Sequence, residues 1–305
     1  MKKRSEAKLA ALLALVALGP GAIGSQAQGA GQPDHPAVTV QGQTYTPRSI
    51  LARNMGTPED QTTAFPPHKI IGNIYYVGTR TLSSFLIVTP QGNILVNSTY
   101  ERNVPTIAKS VEQLGFRFSD TKILLGTHAH RDHQEGDALV KEMTGAQVRM
   151  MAEDVPALQA MKPDGKEHPI DKTLRDGEEV TLGGTTLVAH LTAGHTRGCT
   201  TWTAQIPEGG KTYNVVIYCS LRSPNEISPG VMAEFSRTFK LVRSLPCEVP
   251  LGDHPSQYNM QEKHAKLRPG AANPFISPSS CLHEADIQEA MFHATLEEQR
   301  NGAQR

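Results

Sequence analysis

Two rhythms of apolar and polar positions divide the chain. Short β-branched and apolar runs bounded by Gly, Pro or Asn predict strands over Ile70–Val77, Ser84–Val88 and Asn93–Asn97, with a turn at Pro90-Gln91-Gly92 between the last two. Val104, Ile107, Ala108, Val111 and Leu114 then recur at helical spacing, so an amphipathic helix leads into an apolar strand over Lys122–Leu125. Ala138–Met143 reads as helix, Gln147–Met151 as strand and Glu153–Met161 as helix again. The second rhythm resumes at Glu178–Leu182, which turns at Gly183-Gly184 into Thr185–Leu191. A further hairpin is expected around Pro207-Glu208-Gly209-Gly210. Met232, Phe235, Phe239 and Val242 mark a helix, a short strand runs on from Cys247, and Glu284–Gln299 closes the chain as helix. Pro33–Arg48 reads as extended and Gly56–Pro67 as loop.

Strands and helices, followed by strands and helices again, predict an α/β fold of two similar halves. Two sheets packed face to face with helices outside them, a four-layer αβ/βα sandwich, bury every apolar stripe in this pattern. No repeat, low-complexity tract or linker divides the chain, so one domain over 28–305 is expected.

The chemistry concentrates where the Thr121–Gly126 strand ends. His128-Ala129-His130-Arg131-Asp132-His133 puts three imidazoles and a carboxylate on what should be the loop leaving that strand. Imidazole and carboxylate together suit zinc, and these four donors are too many for one tetrahedral site that also needs distant residues. The spacing therefore predicts two metals sharing a loop. Two more histidines stand in the same strand-to-loop context: His195 in Thr192-Ala193-Gly194-His195-Thr196-Arg197-Gly198, and His254 in Leu251-Gly252-Asp253-His254-Pro255. A lone strand-end histidine is usually structural, but an incomplete dinuclear loop makes both of these candidate ligands. His35, His68, His168, His190, His264, His283 and His293 lack that context and read as surface or core residues; strand alternation points His190 away from His195.

The 305 residues carry a formal net charge of zero, with no basic stripe. That argues against nucleic acid and against electrostatic attachment to a membrane surface. Met1-Lys2-Lys3-Arg4, Lys8, the apolar run Leu9–Leu18 and the small residues of Ser25-Gln26-Ala27 read as a secretory signal over 1–27, cleaved after Ala27. The run is short for a membrane span, and no cysteine precedes Cys199 to take a lipid. A soluble, monomeric periplasmic protein is the expectation. In an oxidising compartment Cys199, Cys219, Cys247 and Cys281 allow three pairings. Cys199 and Cys219 lie on two strand segments that antiparallel pairing could bring together, in which case Cys247 with Cys281 would staple the last helix to the strand before His254. The competing reading makes Cys219 a zinc thiolate beside Ser220.

Taken together, His128-x-His130-x-Asp132-His133, Ala193-Gly194-His195-Thr196-x-Gly198, Cys219-Ser220-Leu221 and His254-Pro255 resemble the class B metallo-β-lactamases of subclass three, from about Tyr76 to the C-terminus. The resemblance implies the metallo-β-lactamase fold and two Zn²⁺ per chain. His128, His130 and His195 would hold the first ion and Asp132, His133 and His254 the second. It implies hydrolysis of the β-lactam amide by a metal-held hydroxide with no covalent intermediate, Asp132 orienting the nucleophile and passing its proton to the ring nitrogen. Ser220 and Arg222 fall where the substrate carboxylate would be gripped, although Arg222 also reads as a solvated loop residue. With His133 as ligand, a Cys219 thiolate is unnecessary, which favours the Cys199–Cys219 disulfide. Two departures stand out: Asn97, where superfamily members commonly carry an acidic residue, and Asp253, an additional carboxylate able to order water or raise ligand basicity. Rival readings are a lactonase or thioesterase on the same fold, usually with a bridging aspartate near Cys219-Ser220, and a non-catalytic exported zinc-binding protein.

Overall fold

The computed structural model describes residues 33–302, so the expected signal segment lies outside the described residues. The chain runs β1 (Val38–Val40), β2 (Gln43–Tyr45), α1 (Pro47–Met55), β3 (His68–Ile71), β4 (Ile74–Tyr76), β5 (Phe85–Thr89), β6 (Gly92–Val96), α2 (Val104–Gln113) and β7 (Thr121–Leu125). It continues with α3 (Arg131–Gln134), α4 (Asp137–Thr144), β8 (Gln147–Met151), α5 (Val155–Ala160), β9 (Lys172–Leu174), β10 (Glu179–Leu182), β11 (Thr185–Leu191), β12 (Thr200–Glu208) and β13 (Lys211–Tyr218). α6 (Pro229–Ser244), β14 (Val249–Gly252), α7 (Met260–Ala265) and α8 (His283–Gly302) complete it.

Among the described residues, β3 to β9 form one sheet in sequence order and β10 to β14 a second, with β1–β2 as a small ribbon. Each large sheet begins antiparallel and turns parallel where a helix crosses over, α2 between β6 and β7 and α6 between β13 and β14. Ile70, Phe85, Leu125, Leu187, Trp202 and Ile217 interdigitate between the sheets. Val104, Ile107 and Val111 of α2 pack on Leu86, Leu95 and Leu124 outside the first sheet, and Phe235, Phe239 and Phe292 of α6 and α8 cover Val216 outside the second. This is the αβ/βα sandwich that the two rhythms predicted. β7 is apolar throughout its second half because it is covered on both faces.

Three local expectations are corrected. The Ile70–Val77 run is two antiparallel strands, folded at Gly72-Asn73 with Gly72 at φ 52°; an apolar run conceals a turn when only Gly and Asn mark it. Pro47 and Arg48, expected to be extended, open a helix over Pro47–Met55 that the sequence pattern did not reveal, capped by Thr46, whose hydroxyl accepts from the Ser49 amide, with Pro47 in its first turn. Asp132 and His133 stand on the short helix α3, where a loop was expected. Among the described residues no helix is long and apolar enough to cross a membrane.

Candidate metal centre

The site lies along one edge of the sandwich, where β6, β7, β11, β13 and β14 all end. His128 follows β7, His130 caps α3, and Asp132 and His133 occupy the first turn of that helix. His195 follows β11 and His254 follows β14. The fold thus gathers all six sequence candidates. Ligand atoms of His128, His130 and His195 lie within 4.8 Å of one another, and so do those of Asp132, His133 and His254. The first three rings form an even triangle, every pair of centroids 4.7 Å apart. His128 and His133 join the two groups at 4.3 Å. Within the second group an Asp132 carboxylate oxygen lies 3.2 Å from His133 Nε2 and 3.8 Å from His254 Nε2.

The donors are prepared for a cation. His195 Nδ1 donates to the Arg222 carbonyl at 2.8 Å and His254 Nδ1 to the Thr81 carbonyl at 3.0 Å. A carbonyl only accepts, so the free lone pair of each ring is on Nε2. His128 Nε2 and both nitrogens of His133 are buried without a hydrogen-bond partner among the described residues. Three such nitrogens gathered in one place leave lone pairs free for a ligand. Burial, with His133 beside it, lowers the pKa of His128 to about 3. Burial likewise lowers those of His130, His195 and His254, which keeps these imidazoles neutral. Burial opposes charge on His133, but Asp132 outweighs it and raises the pKa. Burial alone would raise Asp132; His133, His254 and His128 instead hold its carboxyl well below the usual range. Four imidazoles held neutral, with His133 paired to an ionised carboxylate, make a donor set that fits divalent metal of borderline softness, zinc foremost.

No protein-family model matches the chain. Solved structures do. The native FEZ-1 metallo-β-lactamase from Legionella gormanii is 41% identical, covering 78% of this chain and 98% of its own at a TM-score of 0.75. BJP-1, a subclass B3 metallo-β-lactamase of Bradyrhizobium japonicum, is 34% identical over 80% and 98% of the two chains, also at 0.75. GOB-18 from Elizabethkingia meningoseptica is 29% identical over 80% and 96%, at 0.74. The chain belongs to the subclass B3 metallo-β-lactamases.

Cys199 and Cys219 of this metallo-β-lactamase are joined as a disulfide, and Cys247 is joined to Cys281. The first bridge lies against the metal loop, Cys219 Sγ 3.6 Å from His128 Nδ1. Ser220 is buried, and its amide donates to Asp253 Oδ2 at 2.8 Å. Arg222 is half-buried; its charge reaches His130, His195 and Asp132. Asn97 Oδ1 accepts from the Thr127 amide at 2.9 Å, which ties the end of β6 to the start of the His128 loop. His190 bonds Thr203 at 2.8 Å, apart from the metal-binding groups.

Two supporting carboxylates of the enzyme escaped the sequence reading. Asp154, buried at the start of α5, accepts from the Ala129 amide at 2.8 Å, the Thr196 hydroxyl at 2.8 Å and the Gly198 amide at 2.7 Å. One side chain therefore stitches the His128–His130 loop to the His195 loop. Asp137 at the start of α4 lies 2.5 Å from the Ser98 hydroxyl and 3.1 Å from His168 Nε2. His168, read from sequence as an ordinary surface or core residue, is buried behind the metal helix and also faces the Gln134 carbonyl at 3.1 Å.

Proposed function

We propose that this metallo-β-lactamase binds two zinc ions and hydrolyses the amide bond of β-lactam antibiotics without a covalent intermediate, conferring resistance from the periplasm after loss of residues 1–27. The observation that carries this reading is the pair of adjoining donor sets, three imidazoles in one and a carboxylate with two imidazoles in the other. His128, His130 and His195 would hold one ion, and Asp132, His133 and His254 the other. Zinc bound there supplies Lewis acidity and brings the loss of a proton from water close to neutral pH.

The protein's own side chains do the rest. Hydrolysis joins a water oxygen to the carbonyl carbon and breaks the C–N bond, and the ring nitrogen gains a proton. The ionised Asp132 carboxylate, beside both sets, is placed to take the water proton and hand it to that nitrogen. Ser220 Oγ and the Arg222 guanidinium bind the substrate carboxylate, and a fork of donors matches that geometry. Arg222 has a second duty, since its carbonyl fixes the ring of His195. Paired cysteines suit an exported protein, and mature residues 28–305 act as one domain.

The test is turnover of a carbapenem and a cephalosporin by mature protein, first with zinc and then with chelator. Fast hydrolysis, abolished by chelation and restored by zinc, is expected. Two tightly bound zincs without turnover would discard the substrate and favour lactones or thioesters.

A further inference from the structure

Asp253 is wholly buried, immediately before a candidate ligand, and none of the reaction chemistry above uses it. Its Oδ2 lies 3.3 Å from His128 Nδ1 and accepts the Ser220 amide at 2.8 Å. Its backbone is pinned as well, the amide donating to the Tyr218 carbonyl at 3.3 Å and the carbonyl accepting from Ser83 at 3.0 Å. Its other carboxylate oxygen, Oδ1, has no hydrogen-bond partner among the described residues. A nitrogen of His128, a nitrogen of His133 and an oxygen of Asp253 lie within 4.8 Å of one another. His128 belongs to the three-histidine set and His133 to the other, so one fixed carboxylate faces a ring from each.

We propose that Asp253 is a positioning residue shared by the two donor sets, orienting His128 directly and His133 through its charge, so that both ions depend on it. The inference rests on the six-ligand assignment proposed above. A carboxylate within reach of Nδ1 keeps the proton there and leaves the Nε2 lone pair for metal; such partners of zinc-bound histidines set ring orientation and ligand basicity. Thr127 Oγ1, 3.2 Å from the same Nδ1, is a second neighbour, but it lies 3.2 Å from Asn97 Oδ1 and donates its proton there. A neutral hydroxyl oxygen is also the weaker acceptor. The strand end makes the arrangement rigid: β14 delivers Asp253 inward and His254 to the second set in consecutive positions.

The experiment measures stepwise zinc dissociation constants of the native protein and of Asp253→Asn by competition with a chromophoric chelator. Asparagine keeps the shape and an accepting oxygen but removes the charge. Both constants should weaken by about 10–100-fold, the usual cost of losing such a partner. Native-like affinity for either ion in a folded Asp253→Asn protein overturns the shared role. The native zinc-loaded protein gives a second readout that needs no variant: in histidine ¹⁵N NMR, His128 should carry its proton on Nδ1, with that proton far downfield. An unprotonated His128 Nδ1 overturns the proposal even if the variant does not fold. Native protein that takes up fewer than two ions overturns the six-ligand reading and this inference with it, whereas two ions natively and unchanged constants in the variant overturn the inference alone.

Discussion

Asp154 shows how much a single supporting side chain can hold. Replacing it with alanine strands the buried Ala129 and Gly198 amides and the half-buried Thr196 hydroxyl. Each unmet donor costs about 1–3 kcal/mol, with some of that relieved by local relaxation. Asp154→Ala should therefore lower unfolding free energy by about 2–4 kcal/mol and weaken zinc binding, read by urea unfolding and chelator competition. His168 offers a test in pH. Both of its nitrogens face acceptors, Nε2 the Gln134 carbonyl and Asp137, and Nδ1 the Pro169 carbonyl at 3.2 Å. Burial opposes the imidazolium, but the Asp137 partner outweighs it and raises the folded pKa above 6.5. The stability from this pair is thus fully present below about pH 6.5, the unfolded value, and is lost as pH rises through the raised folded value. Urea unfolding of metal-free protein at rising pH should show that decline, and His168→Gln should flatten it. All six metal-ligand candidates were legible because they cluster or repeat a strand-end context. Asp154, Asp137 and His168 were not, since a lone acidic or imidazole residue acquires its partner only from the tertiary fold.

At the scale of elements, the site is an assembly of strand ends and the first turns that follow them. Gly198 illustrates the tolerance. A Cβ there would lie 2.5 Å from the Asp154 backbone nitrogen and 2.7 Å from its Cβ, contacts that a rigid helix start cannot relieve cheaply. Gly198→Ala should push the His195 loop off α5, costing about 1–3 kcal/mol and loosening the three-histidine set; thermal unfolding with and without zinc checks both. Periodicity revealed the long elements, α2 and α6 above all, because their apolar stripes are set by the sheets they cover. It failed at α1 and at the β3–β4 turn. In α1 the signal was the Thr46–Ser49 cap around Pro47 rather than any apolar rhythm, and at Gly72-Asn73 a two-residue turn was masked by apolar neighbours on both sides.

On the scale of the whole molecule, the disulfides have different duties. Cys247–Cys281 spans 34 residues of sequence between the approach to β14 and the start of α8. Loop closure of that length stabilises by about 3–4 kcal/mol through the unfolded chain. Replacing both cysteines with serine should lower the unfolding free energy by about 2–4 kcal/mol and leave zinc affinity unchanged. The Cys199–Cys219 pair touches His128, so its removal should move both quantities. Calorimetry and metal titration of the two double variants separate these outcomes. The candidate metal ligands are drawn from both sheets: His128, His130, Asp132 and His133 from the end of β7 and its helix, His195 and His254 from the ends of β11 and β14. An ion held by these residues would therefore be a rivet between the two halves as well as a reagent. An organism that starves its surroundings of zinc would then do more than silence the chemistry: it would leave the two halves held at this edge by the apolar core between the sheets, without the rivets.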